Sequence, residues 1–323
     1  MARTLLGHEV VMTWSATWFA TATALALSAT FVAGCGAIRS APEDLAEHPV
    51  EERAAREPPM WGNHVAPAPA CESPTPLLVH HDVAGRVDRL HARLTARGVP
   101  GNFLVDTGSF TSFATHSGDE AAPSASTVIF CRETTLPIIA RLRPGSTPDG
   151  QPQSGVLGAD LVAHGTVLDL DLVNEKLAWY QPAPTPPEGA VVLPIEYRKG
   201  WLVASGIKVN GRDVKLVVDT GASNVIIVDK TPRANEVRED TVDGTASAIT
   251  LFHADGAVSF GGGLPRHVPV DRTEAFPTLE GLIANLGGDV AGLLGLTSLG
   301  RERIILSRES LAIVLPPIAP NPL

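Results

Sequence analysis

The sequence is poor in cysteine and lacks the usual metal and cofactor motifs. Its 323 residues include three cysteines, none of them in a Cys-x-x-Cys pair, and ten scattered histidines with no His-Glu-x-x-His. Because neither of these metal-binding patterns occurs, we expect no bound metal ion. Gly-x-Gly-x-x-Gly, the Walker loop and Gly-x-Ser-x-Gly are also missing. Nucleotide-dependent chemistry and a serine nucleophile therefore have no support, and we expect no cofactor.

The sequence also lacks a basic face. Lys and Arg number 25 against 35 Asp and Glu, which gives a formal net charge of −10. Nucleic-acid binding needs a basic patch or stripe, so we do not expect a nucleic-acid partner. The apolar fraction of 44% and the charged fraction of 19% are typical of a globular protein. The length suffices for one large domain or for two of ordinary size.

The N-terminal segment predicts export. Residues 14–32 are almost wholly apolar and uncharged, and they end in Val32-Ala33-Gly34-Cys35. This ending resembles a bacterial lipobox, which implies a signal peptide over residues 1–35 and a lipid on Cys35. About 20 apolar residues can also span a bilayer, so a transmembrane anchor is the alternative. Because Gly36 rather than Asp follows the cysteine, similarity to known lipoproteins implies the outer membrane, facing the periplasm.

The segment after Cys35 is a predicted tether. Residues 36–71 are rich in Pro, Ala, Glu and Arg and too poor in large apolar side chains to fold alone, so we expect them to be disordered. Export also makes a disulfide between the two remaining cysteines, Cys71 and Cys131, a reasonable expectation.

The rest of the chain divides into two units. Short apolar runs broken by Gly, Pro and Asp are typical of strands, and no long helical pattern competes with them. A proline-rich stretch interrupts these runs and is predicted to be a linker, because proline removes ladder donors and favours extended backbone. The expected boundaries are 72–181 for the first unit, 182–190 for the linker, 191–316 for the second unit and 317–323 for a tail.

One seven-residue pattern occurs twice, once in each unit, as residues 104–110 and 217–223. In each copy an apolar run delivers an aspartate, Asp106 or Asp219, to a Thr-Gly turn. A single Asp-Thr-Gly is most simply a surface turn, since Asp and Gly are turn residues. Its duplication in matching contexts favours one shared site instead.

The flanking sequence repeats as well. Each aspartate has a glycine eight positions before it, an apolar-apolar segment bounded by glycines after it, and then a Leu-x-x-Glu-x-Leu-Ala run, which together indicate two lobes of one ancestry. The matched features are Gly98 and Gly211, residues 155–158 and 292–295, and residues 172–178 and 306–312.

The two motifs resemble those of the aspartic proteases, and the second lobe is similar to bacterial retropepsin-like domains. The resemblance covers residues 75 to 316. It implies an all-β fold of two pseudo-symmetric closed β-barrel lobes facing a central cleft, with the apolar-apolar-Gly segment passing beside each Asp turn. It also implies that Asp106 and Asp219 form a catalytic dyad, that Thr107 and Thr220 cross-link the two turns, and that Gly108 and Gly221 allow their close approach.

The implied activity is hydrolysis of peptide bonds in a peptide or protein substrate. Two close carboxylates cannot both ionise at low cost, so they share a proton, and a bound water is the nucleophile. The turns differ at the next residue, which is Ser109 in the first and Ala222 in the second. In the family a hydroxyl there bonds to the carboxylate, so we hypothesise that Asp106 is the ionised member. The alternative is that Ser109 only caps its own turn.

The resemblance also implies a flap over the cleft, and the second lobe has more room for one. Its interval from Asp219 to Gly292 is much longer than the equivalent interval in the first lobe, and Asp243-Gly244 or Asp255-Gly256 could form the turn. Two other functions are compatible with the sequence. One is a catalytically impaired, lipid-anchored peptide-binding or scaffold protein, and the other is a protease active only as a dimer of second lobes. Substrate specificity and oligomeric state stay open.

Overall fold

A computed structural model describes residues 74–96, 98–116, 125–130, 132–140, 147–148, 150–162, 166–180, 184–242, 248–300 and 302–315. Cys35, Cys71 and Cys131 lie outside these ranges, as does the tether. The lipid anchor and the disulfide therefore stay predictions. None of the helices in the described ranges has both the length and the apolar character needed to cross a membrane.

The described residues are mainly β-strand. A 3₁₀ turn (Ala159–Val162) and two helices, α1 (Pro277–Asn285) and α2 (Leu296–Leu299), interrupt the strands. The strands are β1 (Thr75–His81), β2 (Val87–Ala96), β3 (Val99–Val105), β4 (Phe113–His116), β5 (Ala125–Phe130), β6 (Arg132–Ala140), β7 (Gln153–Leu157), β8 (Val167–Asp171), β9 (Lys176–Tyr180), β10 (Val191–Arg198), β11 (Trp201–Val209), β12 (Arg212–Val218), β13 (Val225–Val228), β14 (Val237–Val242), β15 (Ala248–His253), β16 (Asp255–Phe260), β17 (Arg266–Thr273), β18 (Val290–Leu294), β19 (Arg303–Leu306) and β20 (Ser310–Ile313).

Each lobe closes into a six-stranded barrel. In the N-terminal lobe (β1–β9) the hydrogen-bonded order is β2, β3, β7, β4, β6, β5 and back to β2. In the C-terminal lobe (β10–β20) it is β11, β12, β18, β13, β17, β16 and back to β11. The parallel pairs occupy equivalent places, β3 with β7 and β12 with β18, β4 with β6 and β13 with β17. The predicted all-β fold of two pseudo-symmetric closed barrels is confirmed.

A third, antiparallel sheet joins the lobes. Its order is β1, β9, β8, β19, β20 and β10, so each lobe contributes three strands. Trp179 on β9 is fully buried in this layer. At the seam between β8 and β19, Arg303 donates to both oxygens of the buried Asp169, at 2.8 and 2.6 Å. The two lobes therefore share a sheet as well as a site.

The hairpins that lead into the Asp strands turn at the repeated glycines, Gly98 and Gly211. Asn210 and Gly211, between β11 and β12, have φ angles of +51° and +80°. Two consecutive residues with positive φ are typical of two-residue hairpin turns, because the backbone twist of these turns matches the twist of the paired strands. Gly98, between β2 and β3, has a φ of +77°. The glycines eight residues before each aspartate are therefore explained by turn geometry.

Alternation along the Asp strands sets what faces the barrel interior. Leu216 and Val218 of β12 lie in the main core, whereas Val217 between them lies in a second apolar cluster on the other face. Successive side chains of a strand point to opposite faces, so the apolar run is buried on both sides. The strand that ends at Asp219 is therefore held rigidly from two directions.

The C-terminal lobe has two additions for which the described part of the N-terminal lobe shows no equivalent. One is the β14–β15 hairpin, which pairs in register from Val237 with His253 to Val242 with Ala248. The other is helix α1, between β17 and β18. They account for the longer interval between Asp219 and Gly292. Of the two predicted flap turns, the one at Asp255 is wrong, because that residue begins the barrel strand β16. The other, at residues 243–247, lies outside the described residues.

Candidate active site

The two Asp-Thr-Gly turns meet where the barrels join, and their threonines bind each other's backbone. The Thr107 hydroxyl donates to the carbonyl of Val218 at 2.8 Å and accepts from the Thr220 N–H at 3.1 Å. The Thr220 hydroxyl donates to the carbonyl of Val105 at 2.8 Å and accepts from the Thr107 N–H at 3.1 Å. All of these groups are buried. Four reciprocal hydrogen bonds therefore fix the two turns to one another.

Each turn is also fixed within its own barrel. The Asp106 N–H donates to the Leu157 carbonyl at 2.9 Å, and the Asp219 N–H donates to the Leu294 carbonyl at 3.0 Å. These acceptors end β7 and β18, the apolar segments that the sequence pairs with the aspartates. A Cβ added at Gly292 would lie 1.8 Å from the carbonyl oxygen of Ile226, so only glycine allows β18 to pass β13 this closely. The predicted passage of this segment beside the Asp turn is confirmed.

The motif glycines let each carboxylate lie against the opposite turn. A Cβ on Gly108 would lie 2.4 Å from the Asp219 carboxyl carbon, and a Cβ on Gly221 would lie 2.5 Å from an Asp106 oxygen. Real Cβ atoms do not approach other atoms this closely, so both positions require glycine. The side chains of Asp106 and Asp219 are also hydrogen-bonded to each other. The structure therefore brings both aspartates of one chain together.

The protonation of the two carboxyl groups is coupled. Burial raises the pKa of Asp106 well above its usual range, and the neighbouring Asp219 carboxylate raises it further. Burial also raises the pKa of Asp219, but the hydrogen bond from Asp106 and backbone N–H groups oppose that rise. Asp219 accepts from the N–H groups of Gly221 and Ala222 at 2.9 and 3.0 Å. The pKa values of both groups are therefore raised, and the pair titrates as a unit that shares one proton.

The Ser109 hydroxyl does not make the contact with Asp106 that was predicted from the sequence. The Ser109 hydroxyl donates to the Thr111 carbonyl at 2.8 Å, so its hydrogen is not available to a carboxylate. The backbone N–H of Ser109, rather than its hydroxyl, donates to Asp106, at 3.1 Å. The hypothesis that this hydroxyl keeps Asp106 ionised is wrong, and the alternative that Ser109 caps its own turn is correct. Ala222 contributes through its backbone, as described above, rather than through a side chain.

The residues that follow the turns make further contacts between the lobes. Phe110 packs edge-on against Trp201, with ring centroids 5.9 Å apart. It also approaches Gly200, where an added Cβ would lie 3.2 Å from the Phe110 Cβ. At the equivalent position of the other turn, the Ser223 hydroxyl donates to the Asp88 carbonyl at 3.1 Å. The bulk of Phe110 is therefore taken up by the opposite lobe and not by the space between the aspartates.

A half-buried polar network beside Asp219, with Asp271 as its buried member, has no signature in the sequence. Asn224 donates to Asp271 at 3.1 Å and accepts from the Thr297 hydroxyl at 3.3 Å. Asp271 and Glu239 lie 2.8 Å from the two ring nitrogens of His253. These residues come from five separate segments, and the pairing of β14, β15 and β17 brings Glu239, His253 and Asp271 together. Their spacing along the chain gives no signal by which they could have been found.

The arrangement suits acid–base chemistry on a bound water. A buried carboxyl pair with one proton offers one group that accepts a proton and one that donates. In the described part of the chain, no group of three or more His, Cys, Asp or Glu side chains is placed to hold a metal ion.

Comparison with known proteins finds similarity in solved structures only. No protein-family model and no curated protein matches the chain. The crystal structure of an aspartic proteinase from Irpex lacteus covers 76% of this chain, and the match covers 97% of that chain, with 13% sequence identity and a TM-score of 0.41. The chemistry of this site is inferred from its own contacts. The chain is an all-β protein of two six-stranded barrels that is similar to this aspartic proteinase.

Proposed function

We propose that the protein is an aspartic endopeptidase that hydrolyses peptide bonds through Asp106 and Asp219. The observation that supports this most is the meeting of two buried carboxyl groups of one chain, whose turns are held together by four threonine hydrogen bonds. A pair held this rigidly has little reorganisation left to undergo during a reaction.

In the proposed reaction the two aspartates have different roles. The ionised member of the pair takes a proton from a water bound between the carboxyl groups, and the oxygen of that water attacks the peptide carbonyl carbon. The protonated member donates a hydrogen bond to the carbonyl oxygen and stabilises the negative charge that develops there. Transfer of a proton to the leaving nitrogen then completes cleavage and returns the pair to its singly protonated form.

The β14–β15 hairpin is the proposed flap of this enzyme. Ile249 of β15 packs in the second apolar cluster with Val217, two residues before Asp219, and with Phe276 and Leu279 of the α1 region. In the described part of the N-terminal lobe the equivalent cluster has three buried members, Leu104, Phe113 and Val156. This asymmetry between the described residues supports a cleft covered from the C-terminal side, by a hairpin that packs against the strand leading into Asp219.

Cleavage of a peptide library tests the proposal. Wild-type protein and the variants Asp106→Asn and Asp219→Asn are incubated with the library at acid and neutral pH, and new termini are identified by mass spectrometry. We expect cleavage by the wild type and a loss of about 10⁴-fold or more in each variant, because both groups act as a unit. Peptide binding without turnover would support the binding-protein alternative instead. The single-chain arrangement of the two aspartates favours turnover without a dimer of C-terminal lobes.

The expected location is also a proposal. A lipid on Cys35 would hold the enzyme at the outer membrane, facing the periplasm, where peptide and protein substrates are present. Metabolic labelling with a fatty acid tests it: label should enter the wild type and be absent from Cys35→Ser. Label in both proteins, or in neither, would contradict the anchor.

A further inference from the structure

His253 on β15 bridges two carboxylates on different elements. Its Nδ1 lies 2.8 Å from Asp271 of the barrel strand β17, and its Nε2 lies 2.8 Å from Glu239 of the neighbouring flap strand β14. The Asp271 side chain is 6% exposed, whereas those of His253 and Glu239 are 32% and 40% exposed. The ring therefore joins a buried anchor in the barrel to the hairpin.

Both contacts are hydrogen bonds only when the ring is doubly protonated. An ionised carboxylate is an acceptor, and a neutral imidazole has one N–H donor while the imidazolium has two. Loss of one proton therefore sets a lone pair of His253 against either Glu239 or Asp271. The nearby cations are occupied elsewhere, since Arg272 pairs with Glu236 and lies over the Phe252 ring. Arg238 pairs with Asp240.

The bridge continues into the turn that carries Asp219. Asp271 accepts from Asn224, and Asn224 accepts from Thr297 at the start of α2. The Asn224 carbonyl also lies against Gly295, where an added Cβ would be 2.2 Å away. A connected set of hydrogen bonds thus runs from the flap hairpin to the segment five residues after Asp219.

We propose that doubly protonated His253 is a positioning residue that holds the β14–β15 hairpin against the Asp219 lobe and releases it as the pH rises. The inference rests on the proposed function for the view that the hairpin covers the cleft. The pKa of His253 is raised, mainly by its hydrogen bond to Asp271, while burial opposes the rise. The stabilisation is therefore complete below the unfolded value of about 6.5 and is lost as the pH rises through the folded pKa.

Three variants test whether His253 holds the hairpin in a pH-dependent way or has only a structural role. His253→Gln cannot donate to both carboxylates, so it should loosen the hairpin at every pH. Glu239→Gln supplies an amide N–H that can donate to a neutral Nε2, so it should keep the hairpin closed and remove the pH dependence. His267→Gln is the matched control, because His267 lies exposed on β17 and pairs with Ala257 rather than with the hairpin.

Hydrogen–deuterium exchange of residues 237–253, corrected for intrinsic rates, measures the hairpin at about pH 5 and about pH 8. For the wild type and the control, we expect protection of the hairpin to fall between the lower and the higher pH. The fall should be roughly tenfold for each unit by which folding raises the pKa of His253. His253→Gln should show low protection at both values and Glu239→Gln high protection at both. A wild type with equal protection at both values, or a Glu239→Gln protein that keeps the full pH dependence, would overturn the proposal.

Kinetics and titration complete the test. With a cleaved peptide, His253→Gln should raise KM more than it lowers kcat, and Glu239→Gln should move the alkaline limb of the activity profile upward. Titration of the His253 ring by NMR should give a pKa above the unperturbed histidine value of about 6.5. Exchange and NMR need no peptidase activity. A pH-dependent hairpin without cleavage would refute only the proposed function, and cleavage with a hairpin that ignores pH would refute only this inference.

Discussion

Replacement of either motif threonine by valine tests the junction between the two turns. Thr107→Val removes the donor to the Val218 carbonyl and the acceptor of the Thr220 N–H. Both orphaned groups are buried, with 0% of each residue exposed. An unsatisfied buried group costs about 1–3 kcal/mol, so we expect a loss of roughly 2–6 kcal/mol in the free energy of unfolding. That is a large part of the roughly 5–15 kcal/mol typical of native proteins.

The pseudo-symmetry supplies a second variant and a control. Thr220→Val orphans the Thr107 N–H and the Val105 carbonyl, a separate pair of groups, so its cost should be similar. Thr107→Ser keeps the hydroxyl and loses one methyl group, which costs about 0.8 kcal/mol. Urea unfolding followed by circular dichroism gives all three values, and the peptide assay reports activity. Displacement of a catalytic group by about 1 Å can cost about 100-fold in rate.

The result that would refute this reasoning is a small cost. A loss below about 0.5 kcal/mol in Thr107→Val, with Thr107→Ser indistinguishable from it, would mean that the four hydrogen bonds do not hold the turns together. If the double variant loses much less than the sum of the two single variants, the first replacement has already separated the turns.

Other changes have outcomes that follow from single contacts. Gly108→Ala should abolish activity, because the added Cβ would lie 2.4 Å from the Asp219 carboxyl carbon, whereas Gly281→Ala, with no atom within 4 Å, should leave it unchanged in the peptide assay. Asp219→Asn should raise the melting temperature at neutral pH. Burial raises the pKa of Asp219 in the folded protein, so at a pH above its pKa in the unfolded chain the charged carboxylate destabilises the fold, by about 1.4 kcal/mol for each unit of pKa shift, and Asn removes that charge. A fall in the melting temperature would contradict this sign. Arg303→Met should cost about 2 kcal/mol or more in urea unfolding, because it leaves the buried Asp169 without its partner, and no loss would show that the pair is dispensable.

The features that the sequence predicted share a local cause. The glycine of each Asp-Thr-Gly turn, and each glycine of the segments 155–158 and 292–295, is required by a close approach of other atoms that leaves no room for a Cβ. Such requirements leave glycine at fixed distances from the aspartates, and the repeat in the second lobe makes the pattern visible. The two barrels and the meeting of Asp106 with Asp219 could be predicted for this reason.

The features that were missed depend on register or on a side-chain torsion. The network around His253 exists because β15 pairs with both β14 and β17, which sets Glu239 and Asp271 on either side of the ring. The spacing of these residues along the chain therefore does not predict their contact. The Ser109 hydroxyl could reach either its own turn or a carboxylate by rotation about one bond, and the sequence does not say which. The hydrogen-bond partner in the structure shows that this hydroxyl caps its own turn.

A complementation experiment tests the central claim most directly. The variants Asp106→Asn and Asp219→Asn are assayed separately and as an equimolar mixture on a peptide that the wild type cleaves. Because Asp106 and Asp219 of one chain form the shared-proton pair, each variant should lose about 10⁴-fold or more in rate, and the mixture should recover nothing. Recovery in the mixture, or wild-type rates in either variant alone, would contradict the single-chain dyad.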